Sequence, residues 1–201
     1  MKNIVVSIPN TLLSGGLCLY LKKDPGFRVF QENRLEQLAA TEPVATLAAA
    51  FADAGAELAL VGGPVRDAFL GAPITDLDFT TDARPDRILE IVAPIADTHW
   101  DIGREFGTIG AARRVGGVNV VVEVTTYRTD AYDGETRKPE VAFGDSLEGD
   151  LSRRDFTVNS MAVRLPSLEF VDPFDGIGDL ARRVLRTPVT PEQSFDDDPL
   201  R

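Results

Sequence analysis

The sequence predicts an α+β domain. Three features predict it: apolar runs with the period of a strand, apolar runs with the period of a helix between them, and Gly or Pro at the junctions. At 201 residues and 43% hydrophobic content, the chain can bury one substantial core.

Residues 1–35 show no clean period and take no assignment. From Thr41 a helix is predicted: Pro43 suits its first turn, Val44, Leu47, Ala48 and Phe51 recur at helical spacing, and Gly55 stops it. A strand "ELALV" follows. After Gly62-Gly63 a second helix runs from Pro64 to Leu70, with Val65, Ala68 and Phe69 on one face and Gly71 closing it. "DLDFT" reads as a strand whose period of two sends Leu77 and Phe79 inward and Asp76, Asp78 and Thr80 to the opposite face. A third helix opens near Pro85, with Ile88, Leu89 and Val92 as its apolar side.

"TIGAARRV" and "VNVVVEVTTY" are joined by Gly116-Gly117, a link suited to a tight hairpin. In the second strand Val118, Val120, Val122 and Val124 share the core face, leaving Asn119, Val121, Glu123 and Thr125 on the other. Residues 128–150 are polar and Gly-rich and read as a long mobile loop. Ser152 then caps a helix beginning "RRDFTVNSMA", in which Asp155 and Asn159 lie side by side. Short strands around Val163 and Phe170, the turn "DPFDGIGDL", a boundary near Pro188 and Pro191, and a helix start in "SFDDDPLR" complete the pattern.

With 21 Lys+Arg against 32 Asp+Glu, the net charge of -11 opposes sequence-independent attachment to nucleic acid or anionic membrane. Cys18 is the only cysteine, which excludes an internal disulfide and points to a reducing, cytoplasmic compartment. Pro9, Asn10, Gly15 and Gly16 interrupt the N-terminal apolar stretch before a signal-peptide core forms. No run approaches the roughly 18 apolar residues of a spanning helix, so a soluble protein is expected.

Strand, glycine pair and helix start make a phosphate-binding geometry, because glycine admits a ligand close to the backbone and the free helix amides point at an anion. Gly62, Gly63 and Arg66 fit it; the same turn also serves as a plain strand-to-helix connection. Asp76 and Asp78 can share a hard divalent cation such as Mg²⁺, or form a solvated strand end. Glu123 is the one acid in a run of valines, on the face away from the core. Three carboxylates on neighbouring strands beside a phosphate turn suggest two-metal phosphoryl transfer. Arg153 and Arg154 with Asn159 suit ribose or phosphate, or a surface ion-pair cluster. His99 reads as a core or surface residue and Trp100 as core.

In order, "LVGGPVRDAFLG", "DLDFTT", "VEVTTYR", "LSRRDFTVNSMAV", "DPFDGIGDL" and "SFDDDPLR" resemble the head domain of the bacterial-type tRNA nucleotidyltransferases, the CCA-adding enzymes, and of the bacterial poly(A) polymerases. The resemblance runs from about residue 55 to the last residue. It implies a polymerase-β-like fold, a small mixed sheet backed by helices, followed by the start of a helical neck. It implies a division into residues 1–35 of unknown role, a head at 36–188 and the start of a neck or RNA-binding domain at 189–201, the chain being an N-terminal fragment.

The resemblance also implies roles. Gly62, Gly63 and Arg66 hold the triphosphate; Asp76 and Asp78 bind two Mg²⁺; Glu123 is a third ligand or takes the hydroxyl proton. Arg154, Asp155 and Asn159 face the nucleotide and its ribose, and residues 129–150 move during catalysis. Asp198 and Arg201 read the base edges of CTP and ATP, and Asp197 stands where the family has glutamate. The implied reaction is template-independent addition of CCA to the tRNA 3′ end. Rivals are AMP addition to RNA, nucleotidyl transfer to a small molecule such as an aminoglycoside, and a nucleotide-binding fragment without turnover.

Overall fold

The computed structural model describes residues 6–7, 34–131 and 140–197. Within the first 35 positions a two-residue strand, β1 (Val6–Ser7), pairs antiparallel with a late one, β11 (Val184–Leu185). Residues 34–39 are helical. Helix α1 (Val44–Asp53) has Pro43 at its N-cap and buries Val44, Leu47, Ala48 and Phe51, the four residues the helical period selects.

Next come β2 (Leu58–Val61), α2 (Gly63–Leu70), β3 (Leu77–Thr81), α3 (Pro85–Val92) and β4 (Thr98–Trp100). A single 3-10 turn (Arg104–Phe106) leads into β5 (Thr108–Val115), which turns at Gly116-Gly117 into β6 (Val118–Thr126). Both turn glycines have positive φ, +58° and +88°, as a two-residue hairpin turn requires. Then follow β7 (Arg128–Ala131), β8 (Glu140–Phe143), α4 (Leu147–Ser152), a 3-10 turn (Thr157–Asn159), β9 (Ala162–Leu165), β10 (Phe170–Val171), α5 (Gly176–Arg182) and α6 (Pro191–Asp197).

Seven strands form one mixed sheet in the order β10-β9-β2-β3-β6-β5-β4. Only the central β3–β6 pair is parallel. One face carries Leu60, Phe79, Val124 and Ile109 in neighbouring positions and packs with Val44, Phe51, Ile88 and Val92 of α1 and α3 into the main core. Each such buried side chain contributes about 1.5–3 kcal/mol. A slip by one residue would turn that whole set to water, so the core fixes the register that the opposite face inherits. On that opposite face, Leu147 and Leu151 of α4 cover Ala59, Val61 and Ala162, leaving the β6-β5-β4 side open.

The structure corrects several expectations. Residues 128–150 are not one long loop: β7 and β8 pair as an antiparallel ribbon and α4 follows, with 132–139 outside the described residues. Ser146 caps α4, its hydroxyl accepting from the Gly149 amide, and Ser152 is the helix's last residue. "RRDFTVN" is therefore a bend and a 3-10 turn. "DPFDGIGDL" contains a helix, α5, whose first amides, Gly176 and Ile177, are held by the Asp172 carboxylate. Val118, expected on the core face, is 66% exposed as the first residue of β6 after the hairpin turn. In α3 the apolar side also includes Ile91, which is buried, while Leu89 packs against the core partly buried.

Candidate active site

The parallel register of β3 and β6 sets Asp78 beside Glu123 and Thr80 beside Thr125. Adjacent strands lie about 4.8 Å apart, so the two acids are immediate neighbours on the face away from the core. Glu123 is exposed and Asp78 half-buried. Asp76 precedes the strand, exposed, and accepts a hydrogen bond from the Thr75 hydroxyl at 3.1 Å. Burial raises the Asp78 carboxyl above its ordinary range; Arg154 opposes the rise and Asp76 adds to it. Among the described residues no three His, Cys, Asp or Glu side chains are grouped so as to hold a metal ion.

Next to this pair lies the strand–helix turn. Gly62 adopts φ +73°, a left-handed conformation open to glycine, and a Cβ there would lie 3.0 Å from Arg154 Nη1. Pro64 occupies the first turn of α2 and Gly71 ends it in the left-handed region. Arg66 donates from Nε to Asp67 at 2.9 Å and from Nη1 to Asn159 Oδ1 at 2.7 Å, across 93 positions of sequence. Asn159 Nδ2 donates in turn to both Asp155 oxygens, at 3.0 and 3.2 Å. Asp155 also accepts from the Phe156 amide at 2.7 Å. The structure thus joins Gly62, Arg66, Arg154, Asp155 and Asn159 into one neighbourhood, with Gly63 beside Arg66.

Sequence reading missed the supports of this neighbourhood. Asp150 is buried and accepts from the Thr80 hydroxyl and the Arg128 amide, each at 3.2 Å, with Arg154 at 3.5 Å. Thr80 lies on the face away from the core, where the period of two places it, and is buried there against Asp150. Arg128 reaches Thr108 at 3.1 Å; burial lowers its pKa, Asp150 opposing the effect and Arg153 and Arg154 adding to it. Beneath the 3-10 turn, buried Asp179 accepts from the Thr157 hydroxyl and from Arg182 and Arg186 at 2.7–2.8 Å. The one sequence signal for Asp150 was its position four residues before Arg154, the spacing of an ion pair on a helix.

His99 lies exposed on β4. Asp197 ends α6, while Asp198 and Arg201 lie outside the described residues. Among the described residues no helix is long and apolar enough to cross a membrane.

The family model of the poly A polymerase head domain matches residues 58–186. The chain is 41% identical over 150 residues to a CCA-adding enzyme of Lactobacillus delbrueckii subsp. bulgaricus, covering 74% of this chain and 36% of that protein. A CCA-adding enzyme of Lacticaseibacillus paracasei is 43% identical over 149 residues, with coverage of 74% and 35%. The fold is similar to that of the Bacillus stearothermophilus CCA-adding enzyme in complex with CTP, with a TM-score of 0.62, 36% identity, and coverage of 77% of this chain and 35% of that one. It is also similar to a tRNA nucleotidyltransferase complexed with a primer tRNA and an incoming ATP analog, with a TM-score of 0.58, 31% identity and coverage of 76% and 41%. The chain spans about a third of the length of the curated relatives it matches. With a mixed sheet carrying its acids at the parallel central pair, and a family match that spans every strand from β2 to β11, the chain belongs to the poly A polymerase head domain family.

Proposed function

We propose that this chain is the nucleotidyl-transferring head of an enzyme that adds nucleotides from CTP and ATP to the 3′ end of tRNA and releases pyrophosphate. Residues 36–188 form the head and 189–201 begin a neck, the role of 1–35 being unassigned. One observation carries the reading. The Gly62-Gly63 turn, Arg66, Arg154, Asp155 and Asn159 meet in one neighbourhood whose Arg154 acts on the Asp78 carboxyl, and Asp78 is the neighbour of Glu123 on one sheet face.

The donor set suits Mg²⁺. Two carboxylates two residues apart, one with a pKa raised by burial, form a site that a hard cation would relieve. Magnesium commonly takes only one or two carboxylates and completes its shell with water and substrate phosphates, which agrees with the lack of a third protein ligand among the described residues. Asp76 and Asp78 would hold it; when bound, it neutralises charge on the transferring phosphoryl group. The amides of the Gly62-Gly63 turn and the Arg66 guanidinium grip the triphosphate. Arg154, Asp155 and Asn159 orient the nucleotide and its ribose, Glu123 accepts the proton of the attacking 3′ hydroxyl, and Asp198 and Arg201 read the base. A cytoplasmic location follows from this substrate.

The test is incorporation of labelled CTP and ATP into tRNA lacking its terminal CCA by the full-length protein. Asp76→Ala and Asp78→Ala should each lower turnover by at least about 10²-fold with the fold retained. A folded variant with undiminished turnover overturns the reading. A second reading, AMP addition alone, is favoured by the description of the matched family. Nucleotides offered singly separate the two: CC and then A for the first, runs of A for the second.

A further inference from the structure

We infer that the indole of Trp100 is the platform on which the 3′-terminal base of the RNA acceptor stacks; this rests on the nucleotidyl-transfer reading above. Trp100 pairs with Gly110 and Gly110 with Glu123, so all three share a row with Asp78 on the same sheet face. The indole lies directly over Gly110, since a Cβ at Gly110 would overlap its Nε1, Cε2 and Cζ2. Glycine here is a consequence of packing, because any side chain would evict the ring. The ring is thus held about one strand spacing from Glu123. Trp100 itself is only half-buried. Val121, on the same face one row along, is 47% exposed and extends the apolar surface.

The sides of the acid pair select the occupant. Gly62, Arg66, Asp155 and Asn159 all stand on the β2–β9 side of Asp78, where the triphosphate is proposed to lie. In-line displacement places the attacking and leaving oxygens on opposite sides of the phosphorus. The acceptor must therefore arrive from the other side, across β6, β5 and β4, where Glu123 is followed by Trp100. In the proposed reaction the terminal base varies: the first addition meets whatever base ends the tRNA, and the later two meet a cytosine. Stacking on an aromatic ring tolerates such change, whereas a set of hydrogen bonds to base edges would not.

Trp100 is the only tryptophan in the chain, so its emission reports on this position alone. Titration with the dinucleotide CpC should quench it saturably, and excess CTP should not reverse the quenching; ribose 5-phosphate should leave the emission unchanged. By calorimetry, Trp100→Ala should weaken CpC at least about 5-fold and Trp100→Phe less, with CTP affinity unchanged in both. If CTP binds but CpC does not quench, or CTP displaces CpC, or Trp100→Ala weakens CTP as much as CpC, the inference is wrong. Should the alanine variant fail to fold, the quenching of the unaltered chain decides. Failure of CTP to bind at all counts against the nucleotide site itself; intact CTP binding without CpC quenching counts against Trp100 alone.

Discussion

On the β2–β9 flank of Asp78, Arg66, Asn159, Asp155 and the Phe156 amide are linked by hydrogen bonds of 2.7–3.2 Å. On the β5–β4 flank Glu123, Val121 and Thr98 stand exposed and a single indole rests over a glycine. The first flank is a set of donors and acceptors fixed before any ligand arrives, backed by buried Asp150 and Asp179. The second is a surface with an aromatic ring and few polar constraints. A ligand of invariant shape, such as a triphosphate, gains from fixed donors because little ordering remains to be done on binding. A ligand whose terminal base is not fixed gains from a tolerant surface. The contrast teaches that one sheet can supply both, with the parallel β3–β6 pair as the dividing line.

The largest expected effect breaks the first flank. Arg66→Ala removes a charge-assisted donor from the proposed phosphate site and leaves Asn159 Oδ1 without its 2.7 Å partner. Hydrogen bonds to charged groups contribute about 1.5–3 kcal/mol, so CTP affinity should fall by about 10- to 100-fold. Arg66→Lys should recover only part of it, because an ammonium cannot donate to Asn159 and a phosphate in the forked geometry of a guanidinium. Quenching of Trp100 by CpC should be unaffected. Calorimetry with CTP checks the first outcome; an unchanged affinity would erase the contrast between the flanks.

Much of this arrangement was legible in the sequence, for physical reasons. Helices α1, α2 and α3 and the β5–β6 hairpin have strong apolar periods bounded by Pro or Gly, and such local signals survive folding. The neighbouring positions of Asp78 and Glu123 followed from the alternation of β3 and β6 once the core face was known. The β7–β8 ribbon was not legible, because its two four-residue strands, RTDA and EVAF, are too short to show a period. The burial of Asp150 and Thr80 was not legible because it comes from a contact 70 positions apart, which no local period encodes. Ser152 was a plausible cap by composition, but Ser146 precedes the apolar pair Leu147 and Leu151 that anchors α4 over β2 and β9. Trp100 was assigned to the core; only the register through Gly110 reveals its place in the row of Glu123, one strand beyond its neighbour.

A smaller effect should leave both flanks intact. At the far end of β2 the buried Tyr127 hydroxyl donates to Glu57 Oε2 at 2.8 Å, and Arg164 donates to the same oxygen at 2.8 Å. Burial pushes the phenol above its ordinary range, and the hydrogen bond and charge of Glu57 raise it further, so it stays a donor at every working pH. Tyr127→Phe removes one bond to a carboxylate that is half exposed and keeps Arg164. The expected cost is about 1 kcal/mol, or about 2–4 °C in Tm. CTP affinity and CpC quenching should not change; loss of either without a fall in Tm would mean that the two ends of the sheet are coupled.

The smallest effect falls on the dividing line itself. Burial raises the Asp78 pKa, Arg154 opposes the rise and Asp76 adds to it. The native state therefore holds this proton more tightly than the unfolded chain. The resulting stability is fully present below the unfolded value of about 3.9 and is lost as pH rises through the raised folded value. At pH 7 without metal the ionised group opposes folding. Asp78→Asn, neutral at all pH, should then melt higher than the unaltered chain at pH 7, by at most about 4 °C, with the gap closing below about pH 4. Added Mg²⁺ should raise the Tm of the unaltered chain and not that of Asp78→Asn, since a ligand stabilises only the fold that binds it. Thermal melts at two pH values, with and without Mg²⁺, make the comparison. A variant that melts lower at pH 7, or gains equally from Mg²⁺, would show that Asp78 is already relieved by its protein neighbours and has no need of a cation.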